Sequence, residues 1–280
     1  MTTITEPGAL IEYAELEQGT EEWLEARRGL VTASVLGQLV TVSQPSPLTV
    51  TCPECGAEVD APCLSRSRKE PAPIKTLHGS RVVPADAPDV VTPADNDTSR
   101  ALTASLVAER ITGWVDPVYV NADMQRGNDI EPIARDLYSE KYAPVDELGF
   151  MVRVLPDGHR LGYSPDGLVG DDGLIEVKAP RAKTHLLTIL SGQMPKHHMA
   201  QVQAGLLVSG RQWCDFVSFY GGMRPFVKRV HPDPRWFEAI TATVAKFETT
   251  AAEMQAKYEA NTAGLPETER YVDLADQMEI

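Results

Sequence analysis

The chain has 280 residues, enough for one large domain or one domain carrying an insert. At 42% hydrophobic it can bury a real core, no stretch reaches the ~18 apolar residues that span a bilayer, and residues 1–10 lack the basic start and apolar run of a secretory signal, so a cytoplasmic protein is expected. A formal charge of −14, from 40 acidic against 26 basic residues, disfavours a general polyanion binder but leaves room for a local basic groove and for carboxylates that hold metal.

Thr20 as N-cap, with Glu21 and Glu22 in the first turn, opens a helix bearing Trp23 and Leu24, and a second short helix starts near Thr32 or Ser34. Residues 41–98 differ in character: they hold nine of the 21 prolines and few periodic apolar runs, so they need a staple. Helices are predicted over 99–113, stopped by Gly113, and over 124–142. The period then shortens. Residues 147–155, 159–163, 166–169 and 173–178 read as strands separated by turn residues. Helices over 182–192 and 195–208, strands over 212–220 and 225–230, and a long helix over 233–260 complete the chain before an acidic tail. The order implies an α/β fold with a central mixed sheet flanked by helices. The expected domains are 1–40 with 99–280, and an insert over 41–98.

The insert carries its own staple. Cys52-Pro53-Glu54-Cys55-Gly56 places two thiols two residues apart in a tight turn, Cys63 follows after seven residues, and His78 completes a Cys3His set suited to a closed structural zinc site. Zinc binding would supply the folding energy that so proline-rich a segment lacks. The competing reading is a reduced insert with incidental thiols. Cys214, in an apolar strand, reads as a core residue. Arg66, Arg68, Lys69, Lys75 and Arg81 form a basic run beside the thiols, which reads either as a phosphate contact or as a solvated loop.

The densest chemistry lies in Ser164-Pro165-Asp166-Gly167-Leu168 followed by Glu176-Val177-Lys178. Strand alternation puts Glu176 and Lys178 on one face, and Asp166 can reach that face across the hairpin. Phosphodiester hydrolysis needs such carboxylates to hold divalent ions, and a lysine can steer the attacking water. Oxygen ligands suit Mg²⁺ or Mn²⁺. Alone, the pattern also fits an ordinary hairpin with a surface Glu–Lys pair. Upstream, Arg126-Gly127-Asn128-Asp129-Ile130-Glu131 offers another carboxylate on a helix; downstream, Met199-Ala200-Gln201-Val202-Gln203 offers Gln201.

Taken in order with Gly19-Thr20-x-x-Trp23-x₃-Arg27-x-Gly29-x-x-Thr32-Ala33-Ser34, these segments resemble the lambda-exonuclease-like (YqaJ-type viral recombinase) branch of the PD-(D/E)xK nucleases, over residues 15–40 and 99–245. The resemblance implies a restriction-endonuclease-like core. Asp166, Glu176 and the Val177 carbonyl become metal ligands, Lys178 the catalytic lysine, and Glu131 a support for a second metal. Arg27, Ser34, Ser164 and Gln201 line a pocket for a 5′-terminal DNA phosphate. The implied activity is 5′→3′ digestion of one strand of linear duplex DNA, by a ring-shaped trimer, leaving 3′ single strands for an annealing protein in phage-type recombination, within the host cytoplasm. The family also carries an acid on the preceding strand; here Asp157 is nearest, though Pro156-Asp157-Gly158 also reads as a plain turn. The alternatives are a single-strand-specific or endonucleolytic relative, and a catalytically idle DNA- or partner-binding module.

Overall fold

A computed structural model describes residues 6, 8–65, 70–116 and 121–269. The chain divides into two compact units, 1–40 with 93–280, and 41–92. The insert expected over 41–98 thus closes at Thr92.

In chain order the elements are β1 (Leu10–Tyr13), α1 (Glu21–Arg27), β2 (Val40–Ser43), β3 (Val90–Pro93), α2 (Asp97–Thr112), α3 (Ala122–Lys141), β4 (Phe150–Val154), β5 (Arg160–Tyr163), β6 (Gly167–Val169), β7 (Gly173–Lys178), α4 (Ala182–Ser191), α5 (Met199–Ser209), β8 (Trp213–Ser218), β9 (Phe226–Val230) and α6 (Pro234–Thr262). The second short helix expected near Thr32 is a single 3₁₀ turn over Leu36–Gln38. The tail beyond 269 lies outside the described residues.

Local chemistry accounts for the helix ends. Thr20 caps α1 by accepting the Trp23 N–H at 3.3 Å. Asn96 and Ser99 form a reciprocal capping box on α2, and Gly113 ends that helix in the left-handed conformation. Asn121 caps α3 through the N–H groups of Asp123 and Met124. Pro132 lies inside α3 and removes the donor that would pair with the Asn128 carbonyl, one turn earlier.

The strands expected as one meander form two sheets. β1, β4 and β5 make an antiparallel sheet in the order β1-β4-β5, and β6-β7-β8-β9 make a mixed sheet in which only β7 and β8 run parallel. β1 has a weak signal of its own because two of its four residues are exposed; it gains strand form by pairing with β4. β2 pairs with β3 in a separate ribbon.

The mixed sheet has two different faces. Ile175, Val177 and Val217 pack with Val169 against Ala134 and Tyr138 of α3. Residues of opposite parity on β7, Glu176 and Lys178, therefore point the other way. α5 packs on β4, β5 and β8 on its way to α6. A second apolar cluster joins Trp23 and Leu30 to Phe150 and Val152, fixing α1 on the antiparallel sheet. Among the described residues no helix is long and apolar enough to cross a membrane.

Candidate active site

β6 and β7 pair with Gly167 opposite Ile175, which brings Asp166, the residue just before β6, up to Val177. Asp166 Oδ2 accepts the Val177 N–H at 2.6 Å, so the carboxylate is aimed by the backbone of the strand that carries the other two groups. Glu176 is wholly shielded from solvent. Its Oε1 lies 2.6 Å from Lys178 Nζ as an ion pair, yet accepts no well-directed hydrogen bond from any described group. Its Oε2 faces the Tyr163 hydroxyl at 3.5 Å, the outer limit of a hydrogen bond. Gly205 of α5 makes room for Tyr163: a Cβ there would stand 2.7 Å from Tyr163 Cζ.

Glu131 enters from α3. Its carboxylate is 3.4 Å from Arg135, one turn along the helix. Arg135 also donates from Nη1 to the Asp166 carbonyl at 2.9 Å, and from Nη2 meets Glu147 at 3.0 Å.

The electrostatics follow from this crowding. Burial, then the neighbouring Glu176, pushes the Asp166 carboxyl well above the usual range. Burial also raises Glu131; Arg135 opposes that shift and Glu176 adds to it. Burial pulls the Lys178 ammonium down, but Glu176, Asp166 and Glu131 together outweigh it and hold Lys178 above its ordinary value, fully charged at neutral pH. These are the marks of a site that lacks positive charge. An under-bonded, buried carboxylate oxygen and a donor set made only of oxygens fit a hard divalent cation, which Asp166, Glu176, Glu131 and the Val177 carbonyl would hold.

A cavity of about 720 Å³ opens onto this cluster, and Glu131, Asp166, Val177 and Lys178 form part of its wall. Arg27, Ser34, Ser164 and Gln201 line the same cavity. Their convergence has a backbone cause. Residues 31–33 run beside β5, with the Ala33 N–H donating to the Gly162 carbonyl at 2.8 Å and the Gly162 N–H donating to the Val31 carbonyl at 2.9 Å. That pairing carries α1 and Ser34 to the end of β5, where Ser164 follows. Trp23 joins the set: its Nε1–H donates to Ser164 Oγ at 3.0 Å, and the Arg27 guanidinium stacks 4.1 Å over its ring. Arg27 also donates to Thr32 Oγ1 at 3.3 Å.

Several cavity residues carry no obvious signal in the sequence. Tyr163, His197, His198, Asn128 and Ser218 all line the wall. Burial, with help from His197 and Lys178, holds His198 down at about 3, hence neutral. An adjacent His-His pair at the start of a predicted helix was the only available hint. Asp157, by contrast, is not part of the wall. It sits in the β4–β5 turn, where Oδ1 accepts the His159 N–H at 3.1 Å, as its Pro-Asp-Gly context suggests.

In the other unit, Cys52, Cys55, Cys63 and His78 come together with all four donor atoms within 4.8 Å of one another, a set that could hold a metal ion. The chain favours thiolates at Cys55 and Cys63, whereas burial pushes the Cys52 thiol up. The Leu64 N–H points at Cys55 Sγ from 3.3 Å and is the main reason that thiol falls to about 6. His78 presents Nδ1 toward Cys52 Sγ at 3.5 Å and Nε2 toward Glu54 at 3.6 Å, so the carboxylate orients the ring. The basic run is corrected at Arg81. That side chain is 2% exposed, donates to the carbonyls of Leu48, Val50, Glu58 and Ala61, and lies 3.7 Å from Cys63 Sγ. It is an internal strut and cannot reach DNA. Lys75 is exposed, and Arg66, Arg68 and Lys69 lie outside the described residues.

A stability test follows from the raised Asp166 carboxyl. The unfolded chain releases this proton near pH 4 and the folded chain keeps it to higher pH. Metal-free stability therefore falls as pH rises from about 4 toward the raised value. Asp166→Asn keeps the acceptor for the Val177 N–H and removes the penalty. In metal-free buffer at pH 8 its Tm is expected to rise, by about 2–4 °C for each kcal/mol relieved. Mg²⁺ is expected to raise the Tm of the wild type and not of the variant. Equal Mg²⁺ increments in both would contradict this assignment.

Comparison with known proteins places this geometry. The model of the YqaJ-like viral recombinase domain matches residues 22–212, from α1 through the β6–β7 hairpin and past the end of α5. No curated protein matches the chain. Among solved structures it is similar to an alkaline exonuclease, LHK-Exo, from Laribacter hongkongensis, with 28% identity and a TM-score of 0.62 over 88% of this chain and all of that one. The same enzyme in complex with dAMP matches with a TM-score of 0.60, at 28% identity and the same coverage. With its matched segment spanning both walls of the cavity, the chain belongs to the YqaJ-like viral recombinase family, the lambda-exonuclease-like nucleases.

Proposed function

We propose that this protein is a divalent-metal-dependent exonuclease that digests linear duplex DNA from a 5′-phosphorylated end and leaves 3′ single strands. The observation that carries this reading is the single cavity whose wall holds both the carboxylate–lysine cluster and the Arg27, Ser34, Ser164 and Gln201 group. The exonuclease named among the similar structures supports it.

The chain's own residues divide the work. Arg27, fixed by Trp23 and Thr32, supplies a guanidinium to the terminal phosphate, with Ser34, Ser164 and Gln201 as further polar partners. Asp166, Glu176, Glu131 and the Val177 carbonyl hold Mg²⁺, or Mn²⁺ in its place. When bound, the cation polarises the phosphate and lowers the pKa of water. Lys178, held charged beside Glu176, orients the attacking water and offsets charge as it develops on the phosphate. Neutral His198 adds a polar, uncharged edge to the cavity. A ring-shaped trimer, a single-strand annealing partner and action in a host cytoplasm belong to the same reading; their support is the motif resemblance.

In the insert the metal is zinc. Three thiolates and Zn²⁺ leave one negative charge, and buried Arg81 beside Cys63 supplies the matching positive one. Metal analysis of the purified protein is expected to find about one equivalent of zinc, and Cys63→Ser to lose most of it. Wild-type protein devoid of zinc would reject this.

The nuclease reading is tested by offering linear 5′-phosphorylated duplex and a covalently closed circle side by side, with Mg²⁺ and with EDTA. Mg²⁺-dependent loss of the linear DNA alone is expected. Cutting of the circle would instead mean an endonuclease, and inertness toward both would mean a binding module.

A further inference from the structure

Arg135 is absent from the wall of the catalytic cavity, although it binds two of the groups that form it. Glu131 lines the catalytic cavity and also an adjoining cavity; Arg135 and Glu147 line only the adjoining one. The Arg135 guanidinium touches three separate chain segments: Glu131 on its own helix, the Asp166 carbonyl ahead of β6, and Glu147 in the segment before β4. Its side chain is only 15% exposed, so these contacts form in a partly desolvated setting where a fixed guanidinium counts for more than at the surface.

We propose that Arg135 is a positioning residue for the divalent-cation site, setting the Glu131 carboxylate and the Asp166 main chain at the separation that the cation needs. The inference rests on the metal-nuclease reading above. Only an arginine fork can reach the Asp166 carbonyl, Glu131 and Glu147 together; a lysine supplies the charge at a single point. Lysine is therefore a partial substitute, and an apolar residue of similar length is none.

The test is a calorimetric titration of Mn²⁺ into the full-length protein without DNA, followed by steady-state kinetics on linear duplex. Wild type is measured first; absence of Mn²⁺ binding there would remove the metal-nuclease reading itself. With wild-type binding established, Arg135→Met is expected to weaken Mn²⁺ about 10- to 100-fold, to raise the Mg²⁺ concentration for half-maximal activity, and to leave the KM for DNA unchanged. Arg135→Lys should recover part of the affinity. If Arg135→Met does not fold, Arg135→Lys and Glu147→Gln decide, the latter releasing only Nη2 and giving a smaller shift in the same direction. Unchanged Mn²⁺ affinity in the folded variants would overturn the proposal, as would a raised KM for DNA with Mn²⁺ binding intact, which would make Arg135 a DNA contact.

Discussion

Where β7 leaves the sheet, a fully buried glutamate carboxylate stands against a lysine ammonium at 2.6 Å, with a second carboxylate hydrogen-bonded to the amide between them. Burying charge so close together is costly unless each charge is paired and bonded. Here the pairing is incomplete: Glu176 Oε1 accepts no well-directed hydrogen bond, and the carboxyls of Asp166 and Glu131 are pushed up by burial and by one another. A structure that tolerates this is prepared for another positive charge.

The packing around this cluster explains the arrangement of the elements. The odd face of β7 is sealed against α3 by Ile175, Val177, Ala134 and Tyr138, so the even face is turned into the cavity. α3 also delivers Glu131 and Arg135, so one helix both seals the core and reaches the carboxylate cluster. α5 closes the underside, where its Gly205 admits the Tyr163 ring that reaches Glu176. The Trp23 side chain links α1 to Ser164 and stacks under Arg27, coupling the Arg27 wall of the cavity to the β5–β6 junction. Each functional group is thus aimed by a regular element or by a backbone bond to one, as precise positioning requires.

Much of this was legible in the sequence because it depends on short-range periodicity. Glu176 and Lys178 share a face by strand alternation, and a turn of three residues returns the chain so that Asp166 meets Val177. The CxxC turn announced two of the four Cys3His donors for the same reason, while His78 lies 15 residues beyond Cys63 and joins them only through the fold. What was hidden depends on contacts between distant segments. Arg135 reads as an ordinary helix charge until the Asp166 carbonyl and Glu147 are placed beside it. Tyr163 reads as core, and β1 lacks a pattern until β4 pairs with it. Arg81 was misread as a surface cation because a count of charges carries no information on burial, whereas five acceptors around one guanidinium do. The division of the strands into two sheets also rests on pairing, which alternation alone does not specify.

The central claim is that the buried Glu176–Lys178–Asp166 cluster is built around a divalent cation. Isothermal titration of Mn²⁺ into wild type and into Glu176→Gln, each in two buffers of different ionisation enthalpy, tests it directly. The account predicts binding with proton release in the wild type, because the raised Asp166 and Glu131 carboxyls must give up protons to become ligands. It also predicts loss of that binding in Glu176→Gln. Equal affinity in the two proteins would contradict it.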